Sequence, residues 1–142
     1  VAESGYNWSA AAHATYGTGT PFDDVAIADE GVQTTDEISQ DIKGSTAVCV
    51  MTLEDNTGAC DGNVNVYILA PDMDPDSEGW QDKDDASVQG FAIDQAQNAT
   101  ERLCFTIHGV DMPKFKVHIY NQAGQEVAVT INIQQTTIPL AS

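Results

Sequence analysis

Three runs in the last third of the chain alternate apolar and polar residues with a period of two. That period fits a half-buried strand and does not fit an amphipathic helix. The runs are Arg102 to His108, Lys114 to Tyr120 and Glu126 to Ile133. In the first, Leu103, Phe105 and Ile107 fall on one face; in the second, Phe115, Val117 and Ile119; in the third, Val127, Val129, Ile131 and Ile133. Asn121-Gln122-Ala123-Gly124-Gln125 between the last two reads as a short Gly-containing hairpin loop. The expectation is an antiparallel meander with one apolar face.

The rest of the chain supplies more strands of the same kind. Ala47–Leu53 is apolar on both faces and is expected to be a central strand. Val64–Ala70 and Val88–Asp94 follow, separated by turn-forming Asp, Asn and Gly. Gly31–Ile38 reads as an edge strand, and no segment reads as a helix. Short strands at such spacing predict an all-β fold: an antiparallel β-sandwich, Ig-like or jelly-roll-like, with an irregular N-terminal arm. We place that arm and an edge segment in residues 1–44 and the sandwich in residues 45–142. No apolar run approaches the ~20 residues needed to span a bilayer, so no membrane partner is expected.

Charge is unevenly distributed. The chain has 22 acids and 5 bases, net −17. Residues 1–94 hold 19 acids and 2 bases, net −17, whereas residues 95–142 hold 3 of each, net 0. Binding to nucleic acid needs clustered Lys and Arg, so that partner class is excluded. Residues 1–22 are rich in small residues, with Tyr6, Trp8, Tyr16 and Phe22 spaced among them. Two readings stand for this stretch. It folds irregularly against its own domain, or it lies on a neighbouring subunit with the four aromatics as anchors. The three cysteines, Cys49, Cys60 and Cys104, are an odd number and read as buried reduced thiols. Cys49 and Cys104 lie on strands whose separation suits a bridge between two sheets. Arg102, however, stands where the immunoglobulin pattern has a Tyr.

The stretch Asp72 to Asp85 is the most charged. Asp72, Asp74 and Asp76 are spaced like the first three ligands of an EF-hand loop. Ser77 then replaces the turn glycine and Lys83 the bidentate Glu, so the expectation is a hydrated loop with no cofactor. A Ca²⁺ site of another type on these carboxylates is the alternative. His108 and His118 lie opposite the apolar face and could meet across the expected sheet. No Cys or acid at ligand spacing joins them, so no metal role is expected. There is no nucleophile elbow, P-loop, dinucleotide fingerprint or HExxH motif, and no enzyme activity is expected.

From Asn65 to about Ile133 the chain resembles small structural proteins of tailed bacteriophages, of the head-decoration (cement) kind. Val64-Asn65-Val66-Tyr67-Ile68-Leu69 looks like the family's V-x-V-Y-L-L strand. An Asp-rich loop bearing Trp80 and Asp82 follows, then Phe91-Ala92-Ile93 and Ala99-Thr100-Glu101-Arg102. The strongest match runs from Met112 through Pro113-Lys114-Phe115-Lys116-Val117 to Gly124-Gln125. The resemblance implies a virion structural protein on the capsid surface, assembled in the host cytoplasm. It would stabilise the head by binding between subunits of the major capsid protein, as a homo-oligomer, with trimers at three-fold positions. Two other readings stand beside it: a host-surface glycan-binding module using the acidic loop and Trp80, and a tail-tube or filament subunit.

Overall fold

The computed structural model describes residues 7–40, 46–55, 60–77, 79–97, 100–109 and 111–137. Seven short strands come first: β1 (Asn7–Trp8), β2 (Ala12–His13), β3 (Thr15–Tyr16), β4 (Thr20–Pro21), β5 (Val25–Ile27), β6 (Val32–Thr34) and β7 (Ile38–Ser39). Six longer ones follow: β8 (Thr46–Asp55), β9 (Asn63–Leu69), β10 (Gln89–Asp94), β11 (Thr100–His108), β12 (Lys114–Gln122) and β13 (Val127–Thr137). One 3-10 turn, Gln95–Gln97, joins β10 to β11.

Two antiparallel sheets carry the fold. In the first, β13 lies between β8 and the short strands, and β11 closes the far edge. β1, β2 and β5 succeed one another along β13, opposite Thr136–Thr137, Asn132–Ile133 and Val127–Val129 respectively. They form one interrupted column. In the second sheet the order is β10, β9, β12, and the last column is again interrupted, with β6 and β7 both on β12. β3 and β4 make a small separate hairpin. Numbered along the chain, the eight columns therefore run 1-8-3-6 in one sheet and 2-7-4-5 in the other. This is the two-Greek-key order of a jelly roll. In an immunoglobulin-type sandwich the last strand sits beside the one before it. Here β13 sits between the first and third columns.

The alternating faces meet in one core. Ala47, Cys49, Met51 and Leu53 of β8 and Val127, Val129, Ile131 and Ile133 of β13 face Val64, Val66 and Ile68 of β9 and Phe115, Val117 and Ile119 of β12. Phe105 and Ile107 join them from β11, with Leu103 only partly covered. β8 is central, as expected, but only one of its faces is fully buried; Val48 and Val50 on the other are half-exposed.

The expected meander is not formed. β11 pairs with β8, β12 with β9, and β13 with β8, so no two of the three are neighbours. Alternation reports which face is dry, and strands of both sheets face the same dry layer. The connection at Asn121–Gln125 is accordingly a corner between sheets. Buried Asn121 holds it: its Nδ2 donates to the carbonyls of Ile27 (2.9 Å) and Gln125 (2.8 Å), and its Oδ1 accepts from Ala123 N–H (2.9 Å). Gly124 turns the chain at φ +88°, a conformation that side chains disfavour.

Candidate interaction surface

Every second residue of β12 points away from the core. Lys114, Lys116, His118 and Tyr120 thus line the outer face of the second sheet, beside Tyr67 of β9. Residues 70–77 and 79–88, between β9 and β10, fold back over this face. The base of this loop is closed by Gln81 N–H to the Ala70 carbonyl (2.9 Å) and Asp72 N–H to the Gly79 carbonyl (3.0 Å). Two cation–aromatic contacts hold the loop down. The Lys116 ammonium lies 4.6 Å from the Trp80 ring centre, and the Lys83 ammonium 5.5 Å from that of Tyr120.

Three of the chain's five bases, Lys83, Lys114 and Lys116, therefore gather on one face of a strongly acidic protein. Each has a carboxylate or ring in attendance. Lys83 bonds Asp84 at 3.0 Å, which raises its pKa. Lys114 lies 4.0 Å from Glu37. Tyr120 donates to Glu30 at 2.6 Å, and that bond raises the phenol's pKa. His118 is half-buried beneath the loop, with Nδ1 2.6 Å from Thr34 Oγ1 and Nε2 without a hydrogen-bond partner among the described residues. Burial, and then the charge of Lys83, lower its pKa. Between this loop, Glu37 and the start of β12 lies a cleft of about 220 Å³, lined by Glu37, Pro71, Met73, Trp80 and Lys114 among others. Met73 at its rim is 84% exposed. Trp80 and Met73 thus lie beside Lys114 and the carboxylate of Glu37 at one mouth of this face.

The expected site residues are distributed as follows. Asp72, Asp74 and Asp76 do not converge. Asp72 Oδ1 accepts from Asp74 N–H (3.0 Å), and Asp74 Oδ1 accepts from Asp76 N–H (2.9 Å), so two of the three carboxylates cap the loop's own backbone. Among the described residues no three His, Cys, Asp or Glu side chains form a metal-holding group. His108 and His118 do not meet, because β11 and β12 belong to different sheets; His108 lies beside Thr46 and His118 beside Tyr67. Cys49 points into the core and Cys104 out of it, on neighbouring strands of one sheet. Their directions rule out the bridge between sheets. Burial, and secondarily the Cys104 thiol, push the Cys49 thiol up to about 12.

Of the four N-terminal aromatics, Tyr6 lies outside the described residues. Phe22 is wholly buried in this chain's own core, and Tyr16 packs on it edge-on, ring centres 5.2 Å apart. Trp8 is 55% exposed, on β1 at the rim of the first sheet. The hairpin carrying Tyr16 is tied to the second sheet by Asp36. Its carboxylate accepts from Thr15 Oγ1 (2.8 Å), Thr18 N–H (3.0 Å) and Gly19 N–H (2.8 Å). The Thr18 bond is the leading cause of its lowered pKa.

No protein-family model matches the chain, and no curated protein sequence does. Among solved structures the fold is similar to PRD1 vertex protein P5, at 15% identity and TM-score 0.47, covering 80% of this chain and 87% of that one. It is also similar to a chain of Desmodium yellow mottle tymovirus, at 13% identity and TM-score 0.37, covering 83% and 87%. Both superpositions are loose.

The gathering of bases is half legible in the sequence. Lys114 and Lys116 alternate with Phe115 and Val117, which puts them together on the wet face. Nothing in the sequence marks Lys83 or Trp80 as their neighbours, because a loop of this length has no periodicity to read.

Proposed function

We propose that this chain is a virion structural protein that decorates a capsid and stabilises it by binding between major capsid subunits. The strand order is compatible with it: two four-column sheets in jelly-roll sequence, an architecture used by viral capsid domains as well as lectins and cupins. Fold alone does not choose among these. The choice rests on the resemblance of Asn65–Ile133 to cement proteins, whose strongest run, Met112 to Gln125, forms β12 and the corner that follows it. The work is done by binding. The outer face of the second sheet offers Trp80, Lys116 and Met73, and the rim of the first offers Trp8. A contact of ordinary size buries on the order of 1,200–2,000 Å². Many repeated copies turn modest contacts into resistance to internal pressure.

The test is rebinding. Purified chain is added to particles stripped of it, and bound protein and the temperature of genome release are measured. Saturable rebinding with a raised release temperature is expected. Binding to host glycans with none to particles would replace this reading with the lectin-like one.

A further inference from the structure

The first sheet ends on β11, and this edge differs from the other three. The opposite edge is broken into β1, β2 and β5; the second sheet ends on the broken pair β6 and β7 and on the six-residue β10. β11 instead keeps an unbroken nine-residue register with β8, from Thr100 opposite Glu54 to His108 opposite Thr46. It contains no proline, glycine, lysine or bulge, all of them devices that keep open edges from pairing; its charges, Glu101 and Arg102, sit together near its start. Among the described strands none pairs with its other side. The Gln40 amide reaches the Ile107 carbonyl (3.2 Å), but only at the strand's C-terminal end.

Charge is a second, independent observation. The chain carries −17, yet residues 100–108 hold one acid, Glu101, and one base, Arg102. Two copies can approach here without the repulsion that acts over the residues 1–94.

We propose that β11 pairs antiparallel with β11 of a second copy, joining the two first sheets into one continuous sheet across a two-fold axis. This pairing does not depend on the capsid reading. Keeping all nine residues paired puts the axis at the middle residue, Cys104. Leu103 then faces the partner's Phe105, Arg102 faces the partner's Thr106, and Cys104 faces the partner's Cys104. Leu103, only partly covered within one copy, gains an apolar neighbour. Opposed residues in antiparallel strands have Cα atoms about 4.5–5.5 Å apart, within the span of a disulfide, about 4.4–6.8 Å.

Sedimentation equilibrium on the full chain, with Thr106→Glu and Thr106→Lys beside it, tests the pairing. Thr106 is exposed, so both variants keep the fold. Net charge alone says that the lysine favours association and the glutamate opposes it. The register says the reverse, because each dimer sets residue 106 against the partner's Arg102 twice. Expected is a reversible dimer that Thr106→Glu tightens and Thr106→Lys weakens, each by about two- to tenfold. Diamide supplies a check on the axis. It takes two protons and two electrons from the paired Cys104 thiols, becomes the hydrazine, and leaves one S–S bond. A covalent dimer is expected from the parent chain and none from Cys104→Ser. A chain that stays monomeric at its highest soluble concentration overturns the proposal. So does an assembly that neither variant shifts, or that both shift in the order net charge dictates.

Discussion

Replacing Phe22 with alanine separates two roles for the N-terminal segment. Phe22 is 0% exposed and sits among side chains of both sheets. Its N–H donates to the Ala14 carbonyl at 2.6 Å, its carbonyl accepts from Ile131 N–H at 3.0 Å, and the Tyr16 ring packs on its edge. The backbone bonds survive the substitution; the ring and its contacts do not. A fully buried Phe reduced to Ala costs about 3–5 kcal/mol, transfer and cavity together. For a chain of this size that lowers the melting temperature by about 10–17 °C. Native stabilities run to about 5–15 kcal/mol, so the loss is a large fraction of the total, and a variant that fails to fold counts with a large loss. Urea unfolding followed by circular dichroism supplies the free energy. If Phe22 were an anchor for a neighbouring subunit, the isolated variant would be within about 0.5 kcal/mol of the parent, as surface substitutions are. A loss below about 1 kcal/mol would refute the placement.

Trp8→Ala, at a side chain 55% exposed, is expected to shift stability by no more than about 0.5 kcal/mol while weakening binding to stripped particles. Asp36→Ala removes three hydrogen bonds to a carboxylate, about 1–2 kcal/mol after allowance for solvent screening. Because folding lowers the pKa of Asp36, its contribution is complete at neutral pH and is lost as pH falls below about 4. Acid titration of unfolding should show a shallower fall for the variant. Cys104, exposed, is expected to react with a thiol reagent in the native state, whereas Cys49, buried and pushed up to about 12, reacts only on unfolding; equal rates would contradict the opposite orientations. With net charge −17, salt should raise the melting temperature as the Debye length falls from about 10 Å at 0.1 M to about 3 Å at 1 M. A scan with no salt dependence would mean that self-repulsion is already balanced.

The layers of this molecule were legible in the sequence; the connections were not. Phe115, Val117 and Ile119 are buried as their alternation requires, and so are Val127 through Ile133 at every second position. The pairing was misread because alternation is a one-strand signal. A jelly roll sends successive strands to opposite sheets, and only β9 and β10 are consecutive strands of the six long ones that pair. Asn121 explains the missed corner. Its polar, turn-favouring side chain reads as a hairpin residue, yet it is buried and bonded to Ile27, 94 residues away. The spaced aromatics gave no period, so nothing distinguished buried Phe22 from exposed Trp8. In the acidic loop the EF-hand-like spacing of Asp72, Asp74 and Asp76 recurs because alternate Asp residues make successive Asx turns.

If this jelly roll is a component of a particle, the particle carries it. Immunogold electron microscopy of particles purified from the source culture, with antibody raised to the chain, addresses that directly. Even labelling over heads is the expected result. Label on tails alone would move the protein to another part of the particle, and particles without label would contradict the virion role itself.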